Sequence, residues 1–277
     1  MMNLLHFMYG VGAIVSPKVT GFITNPSGAN FLWQYIYLFT IPLILIFFIP
    51  SIFTRFPDLE HNKNDKADSN DQNSSFKNSF LIALKTPAVW AFGIILGMMI
   101  SLEMSSSTWG GLYFQDLYGM DPSTKGANFI STFYIFFTIS RLVSGFLIEK
   151  IGYMRSLFGA IIIGIIIYII SFSLGAAGIY ILPFQGFLFS IFWPTLLAVG
   201  IVYFGKDAPL MTSAIIAIAG LVNSGINYIM SRFNTWFGTG WGFRSCLLFA
   251  VVLLILLLVL NQKIKKRTQT EQSLKLG

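Results

Sequence analysis

Residues 90–113 read WAFGIILGMMISLEMSSSTWGGLY, and this stretch decides the fold class of the chain. It is long and apolar enough to cross a bilayer as a helix, yet it keeps Glu103 well inside it. A carboxylate at bilayer depth costs about 2.5–3.5 kcal/mol on insertion scales, so membrane proteins rarely keep one without a use. We therefore predict a membrane protein with Glu103 in a functional site.

The composition extends this prediction to the whole chain. Of its 277 residues, 55% are hydrophobic and only 10% are charged, whereas about a quarter of a soluble domain is charged. The apolar residues fall in long blocks, which indicates an all-α polytopic membrane protein whose first partner is the lipid bilayer. The net charge of +7 comes from residues beside helix ends, so we expect no nucleic-acid partner.

Eight stretches of about 20 residues each meet the length that a membrane-spanning helix requires. They cover approximately residues 3–23, 31–52, 87–113, 127–148, 156–175, 179–203, 209–232 and 242–262. Between the second and third stretches, residues 53–85 form a polar central loop that is too poor in apolar residues to fold by itself. From Phe76 to Lys85 a helical pattern resumes, which predicts a short interfacial helix.

Lysine and arginine residues predict the orientation of the chain, because cytoplasmic loops are enriched in them. If the central loop is cytoplasmic, 13 of these residues lie on its side, whereas Lys125, Arg232 and Arg244 lie on the other side and Lys18 and Arg141 lie within helices. The 13 residues are Arg55, Lys63, Lys66, Lys77, Lys85, Lys150, Arg155, Lys206, Lys263, Lys265, Lys266, Arg267 and Lys275. We expect both termini in the cytoplasm and the chain in the plasma membrane.

The most specific local pattern is RLVSGFLIEKIGYMR at residues 141–155. A glycine in a membrane helix allows close approach of another helix, and a glycine after the helix allows a sharp turn. The spacing resembles the signature loop of the major facilitator superfamily, in the form found in its C-terminal half. The resemblance implies a charged cluster that latches one conformation of the transport cycle, although an ordinary cytoplasmic turn is the alternative. The implied gating residues are Arg141, Gly145, Glu149, Lys150, Gly152 and Arg155.

A second pattern places Glu103 six residues before Trp109-Gly110-Gly111, with Tyr113 following. It resembles the seventh helix of sugar-transporting members of that superfamily, including the fucose–proton symporter-like group. The two glycines are placed to bend the helix, and Trp109 and Tyr113 share a face if the helix persists between them. Flat aromatic faces beside hydrogen-bonding groups suit a sugar ring, but a packed aromatic pair is an equal alternative.

Glu103 has the chemistry that a proton-coupled carrier needs, because a carboxyl group away from water can exchange its proton as its surroundings change. The alternative is a structural carboxyl group held by the hydroxyl groups of residues 105–108 or by a basic partner such as Lys18 at similar depth. Later helices add polar groups at membrane depth, where discontinuous helices and amides often mark substrate sites. Helix–helix hydrogen bonding explains these groups nearly as well. They are Trp193, which precedes Pro194, and Asn223 and Asn227.

The resemblance extends over the whole chain, since Gly10, Gly12 and Pro17 are similar to the pattern of the superfamily's fifth helix. It implies a bundle of about eight transmembrane helices that matches the fifth to twelfth helices of a twelve-helix carrier and lacks the first four. The implied organisation is two helices of the N-terminal half at 1–52, the central loop at 53–85, a six-helix C-terminal half at 86–262 and a basic cytoplasmic tail at 263–277. A missing N-terminal half would then be a partner.

These observations predict a secondary transporter for a sugar or other small polar solute, with a proton or sodium ion as coupling partner. The sugar-binding and ion-binding candidates are Glu103, Trp109, Tyr113, Trp193, Asn223 and Asn227. An efflux carrier for hydrophobic compounds and a truncated fragment that does not transport remain alternatives. No paired histidines, metal-spaced acids or nucleophile constellation is present, so we predict neither an enzyme nor a cofactor.

Overall fold

A computed structural model describes residues 2–24, 34–53 and 80–276 of the chain. Most of the predicted central loop at 53–85 lies outside these residues, and its last part, residues 80–85, is helical. A hydrogen bond joins residues 80–85 to the helix that begins at Pro87, since the Trp90 indole donates to the Leu84 carbonyl at 2.7 Å.

Two helices precede the central loop, and they coincide with the first two predicted spans. Helix α1 runs over Met2–Thr24 with Pro17 inside it. Helix α2 runs over Gln34–Phe53 and contains Pro42 and Pro50. The apolar side chains described on α2 are exposed in the chain alone, as expected of a helix that faces lipid.

The segment Pro87–Tyr118, which contains Glu103, forms one continuous rod of three pieces. Helix α3 is Pro87–Ser105, a π-helical turn follows at Ser106–Gly110, and helix α4 is Gly111–Tyr118. At the predicted bend the chain therefore forms a π-helical turn that ends at Gly110. Such turns insert an extra residue into the helix and often occur at functional sites.

The remaining helices follow with short connections. A π-helical turn at Pro122–Gly126 leads into α5 at Ala127–Ile151, and after Gly152 the chain enters α6 at Tyr153–Ser173. The next span is discontinuous, with two 3₁₀ turns, α7 at Gln185–Phe189 and α8 at Phe192–Phe204. The last helices are α9 at Ala208–Phe237, α10 at Trp241–Arg244 and α11 at Cys246–Leu276.

Five segments of the described residues are long and apolar enough to cross a membrane. They are Pro87–Tyr118, Pro122–Ile151, Tyr153–Ser173, Gly175–Phe237 and Trp241–Lys266. The fourth is 63 residues long and contains two predicted spans, which a turn at Gly205–Asp207 separates. The six spans predicted for residues 86–262 are thus all present as helical segments.

Glycines allow close contacts between helices in the part of the chain after the central loop. A Cβ atom added to Gly97 on α3 would lie 2.6 Å from the Cβ of Val222 and 2.7 Å from the Ala219 carbonyl oxygen, both on α9. One turn earlier, the same atom on Gly93 would lie 2.7 Å from the Ile218 side chain. Helices α3 and α9 therefore pack backbone to backbone, as small residues allow in membranes.

Helix α1, which precedes the central loop, packs against α5, which follows it. The Ser131 hydroxyl donates to the Ile14 carbonyl at 2.9 Å, and the Tyr9 and Tyr134 rings meet edge to face with centroids 6.5 Å apart. Gly10 lies directly against Thr138, with no room for a side chain. Gly10 is therefore a point of close packing between α1 and α5.

The single cysteine, Cys246, is buried at the start of α11, where its thiol lies 3.2 Å from the Ser105 hydroxyl. Because only 1% of Cys246 is exposed, we expect a membrane-permeant maleimide to label the native chain slowly and the unfolded chain rapidly. Mass spectrometry of the labelled chain measures this. The double variant C246S/K206C, with its thiol on an exposed turn, is the positive control. Labelling of native Cys246 as fast as that control would contradict the packing.

Candidate functional site

Glu103 lies near the middle of the membrane-spanning rod. It is 16 residues after Pro87, which is about 24 Å along a helix, and its side chain is partly buried. The basic group that acts on it electrostatically is Arg141 of α5. Two opposite charges at membrane depth stabilise each other, because neither is well solvated there.

Arg141, and not the Lys18 considered from the sequence, is the basic residue that acts electrostatically on Glu103. Lys18 is exposed on α1. Arg141 was predicted as part of the gating cluster, yet it acts electrostatically on Glu103, the predicted coupling residue. The guanidinium group of Arg141 lies 4.5 Å from the centre of the Phe137 ring. That cation–π contact orients the charge from one helical turn away.

Two tyrosines extend the Glu103 site towards α1, and sequence reasoning did not identify them. Tyr134 is buried on α5, and its hydroxyl group interacts with Ser107, Tyr9 and, electrostatically, Glu103. Ser107 lies in the π-helical turn that follows Glu103. The site therefore joins α1, the π-helical turn and α5. The run of serine and threonine hydroxyl groups at residues 105–108 after Glu103 indicated a polar site in the sequence. Nothing in the sequence indicated that Tyr134 belongs to it.

A cavity of about 410 Å³ lies beside Arg141, along the half of α5 that leads to Gly152. Its lining includes Arg141, Gly145 and Glu149 from α5 together with Trp193 from α8. Residues predicted separately as gating and substrate-binding groups thus lie around one space. Two hydroxyl-bearing residues, Thr138 and Ser144, also line it.

The predicted polar groups of α9 form a hydrogen-bond network with the rod. The Trp109 indole donates to the Asn227 side-chain oxygen at 3.1 Å, and the Ser101 hydroxyl donates to the Asn223 side-chain oxygen at 3.0 Å. The amide nitrogen of Asn227 donates to that same Asn223 oxygen at 3.1 Å. Trp109, Asn223 and Asn227 therefore come together, and in this conformation their polar atoms bond to one another.

Tyr113 lies apart from this network, so it does not form a shared aromatic platform with Trp109. It is 2% exposed and packs against Phe172 of α6 and Phe243 of α10, with ring centroids 5.7 and 5.3 Å away. The guanidinium group of Arg244 lies 5.7 Å from its ring centre. The π-helical turn adds a residue between the two helices of the rod, which gives the two rings different neighbours.

The predicted gating residues beyond the cavity lie at the turn between α5 and α6. Gly152 has a φ of 95°, a conformation that glycine adopts without strain, so the predicted sharp turn is present. Lys150 and Arg155 are exposed beside it, and no ion pair joins Glu149 to Arg155 within the described part of the chain. The close approach expected at Gly145 is absent, because an added Cβ atom would meet no described atom within 4 Å.

Comparison with known proteins places this arrangement in a family. A family model described as the Major Facilitator Superfamily matches residues 1–226. The chain belongs to the major facilitator superfamily. The predicted family and the all-α membrane fold class are thereby confirmed, and the expectation that the chain is not an enzyme agrees with a family of transporters.

A solved structure supports the same fold. The chain resembles a Major Facilitator Superfamily transporter, FucP, in the outward conformation, with a TM-score of 0.52 and 19% sequence identity. The likeness covers 82% of this chain and 54% of that chain, so the chain spans about half the length of FucP. No curated protein matches the sequence.

Proposed function

We propose that this major facilitator chain takes part in secondary transport of a sugar or another small polar solute, coupled to protons through Glu103. The observation that carries the proposal is the 410 Å³ cavity lined by Arg141, the basic residue that acts electrostatically on Glu103. An acid at membrane depth that interacts with the basic residue of a solute-sized cavity is suited to link protonation to solute binding.

The cavity chemistry favours a polar solute over a hydrophobic one. A charged guanidinium group, a carboxylate and two hydroxyl-bearing residues line it, and Trp193 contributes an aromatic face. Small-molecule sites of about 300–1,000 Å³ commonly combine apolar walls with a few polar groups that orient the ligand. The lining therefore favours a sugar-like solute over the lipophilic compounds of an efflux carrier.

The proposal includes an orientation in which both termini and the turn at Gly152 lie in the cytoplasm of a cell with the chain in its plasma membrane. Its support is the excess of lysine and arginine on that side. In this orientation the cavity beside Arg141 lies in the cytoplasmic half of the membrane.

The test is uptake of radiolabelled neutral sugars and sugar acids into proteoliposomes that contain the full chain, measured across a range of external pH. We expect uptake to increase at acidic pH, and we expect Glu103→Gln to remove that dependence because the amide cannot exchange a proton. Asp207→Asn, which removes an exposed carboxylate at the turn before α9, is the matched control and should retain it. Absence of uptake for every solute would contradict transport, and unchanged pH dependence in Glu103→Gln would contradict the coupling role.

A further inference from the structure

A cluster of uncharged polar side chains lies in the interior of the chain, where helices α3, α6, α7 and α11 pack together. Its members are Ser105 at the end of α3, Tyr168 of α6, Gln185 at the start of α7 and Cys246 at the start of α11. At most 1% of any of these residues is exposed. None of them belongs to the described lining of the cavity beside Arg141. The cluster is therefore a polar site of its own.

The Tyr168 hydroxyl group is the member that links the others in this polar cluster. It interacts with the side chains of Cys246, Ser105 and Gln185. Its ring packs against Phe243, three residues before Cys246, with centroids 6.4 Å apart. The Cys246 thiol in turn lies 3.2 Å from the Ser105 hydroxyl oxygen. One polar group from each of the four helices therefore faces the same place.

Two buried atoms of the cluster, the Tyr168 hydroxyl oxygen and Gln185 Oε1, are not aligned for a hydrogen bond with any described residue. The orientation of the Gln185 amide is fixed, because its Nε2 donates to the Gly164 carbonyl at 3.3 Å. A flipped amide would place two oxygen atoms against each other there. Burying a polar group without a hydrogen bond is unfavourable, and native proteins rarely do so. The two atoms therefore need a partner that can both accept and donate.

We propose that this cluster binds one internal water molecule, which accepts a hydrogen bond from the Tyr168 hydroxyl group and donates to Gln185 Oε1 and to the Ser105 hydroxyl oxygen. Buried waters typically make about three hydrogen bonds to polar groups that would otherwise be unsatisfied. The cluster contains no charged side chain to balance an ion, so a small neutral molecule is the class of ligand that fits.

The Ser105 hydroxyl group can serve as the third partner of this water. Its hydrogen is donated to the Leu102 carbonyl at 2.8 Å. Its oxygen has two acceptor positions, and the Cys246 thiol takes one of them. The second is available to the water, which then joins α3, α6 and α7 by hydrogen bonds.

The experiment is X-ray radiolytic footprinting of the full chain in lipid nanodiscs, with the oxidation of each residue measured by mass spectrometry. The radicals form from water itself, so a buried side chain is oxidised quickly only where a water molecule touches it. We expect Tyr168, which is fully buried, to be oxidised several-fold faster than Tyr113. Tyr113 is the matched control, because it is 2% exposed and its hydroxyl oxygen lies 3.5 Å from that of Tyr118.

Gln185→Met tests the ligands of the water, because it keeps the length of the side chain and removes the amide. It should lower the oxidation rate of Tyr168 to that of Tyr113. Ser173→Ala, which removes an exposed hydroxyl group from the same helix as Tyr168, should leave the rate unchanged. Oxidation of Tyr168 no faster than that of Tyr113 in the wild type would overturn the water site and favour a direct hydrogen bond between Tyr168 and Gln185. That comparison needs no variant, so it decides the matter even if Gln185→Met does not fold. Rapid oxidation of Tyr168 that persists in folded Gln185→Met would also overturn the site.

Discussion

Replacing Arg141 by leucine is expected to lower the free energy of unfolding by about 3 kcal/mol. Arg141 interacts electrostatically with Glu103 at membrane depth, and removing one of two such charges costs about 3–5 kcal/mol where both are buried, because the other charge is left without compensation. We expect the lower end of that range, since the adjoining cavity is polar enough to admit water. Thermal and denaturant-induced unfolding in detergent, followed by tryptophan fluorescence, measures the change.

The double variant Glu103→Leu/Arg141→Leu provides the decisive comparison. Removing both charges together is often neutral or stabilising when the new residues pack well, so the double variant should lie within about 1 kcal/mol of the wild type. Lys206→Leu, on an exposed turn, is the control and should change stability by less than about 0.5 kcal/mol. Losses from the two single variants that simply add in the double variant would show that Glu103 and Arg141 do not interact.

Replacing Gly97 by leucine is expected to lower the free energy of unfolding by about 2–3 kcal/mol. A Cβ atom at this position would lie 2.6 Å from the Cβ of Val222 and 2.7 Å from the Ala219 carbonyl oxygen. Both atoms belong to or adjoin the backbone of α9, so they cannot move without separating the helices, and overpacking of this kind typically costs 1–3 kcal/mol. The same unfolding measurement applies.

Gly220 is the matched control for Gly97, since it lies in the adjacent helix α9 but its added Cβ atom would meet no described atom within 4 Å. Leucine at Gly220 should be neutral or slightly stabilising, because glycine is a poor helix former. Equal stability of Gly97→Leu and Gly220→Leu would contradict the packing of α3 on α9.

The fold class and the positions of the spans could be predicted because length and hydropathy determine where a chain crosses a membrane. The spans at 87–113 and 209–232 are present within α3–α4 and α9 as longer helices. The exact helix ends were not predicted, because α4 continues to Tyr118 and α11 continues to Leu276, beyond the ends expected at residues 113 and 262. Hydrogen bonding within the helix, which hydropathy does not report, maintains these extensions.

The sequence indicated several residues of the candidate site individually, but it indicated neither Tyr9 and Tyr134 nor which of the residues come together. Hydropathy places Glu103 and Arg141 at membrane depth without indicating which faces of their helices meet. The contact between Trp109 and Asn227 joins residues 118 positions apart, and it depends on the rotation of two helices about their axes. A π-helical turn changes that rotation after Ser105, which is why Tyr113 lies among aromatic rings instead of beside Trp109.

The most direct test of the account is proton movement that accompanies solute binding and uptake. Proteoliposomes containing the full chain would be filled with a pH-sensitive dye and supplied with D-glucuronate or D-glucose without an imposed pH gradient. The account predicts that a transported solute acidifies the interior in the wild type and that Glu103→Gln abolishes this acidification. Solute uptake without acidification in the wild type, or acidification that persists in Glu103→Gln, would contradict the assignment of Glu103 as the coupling residue.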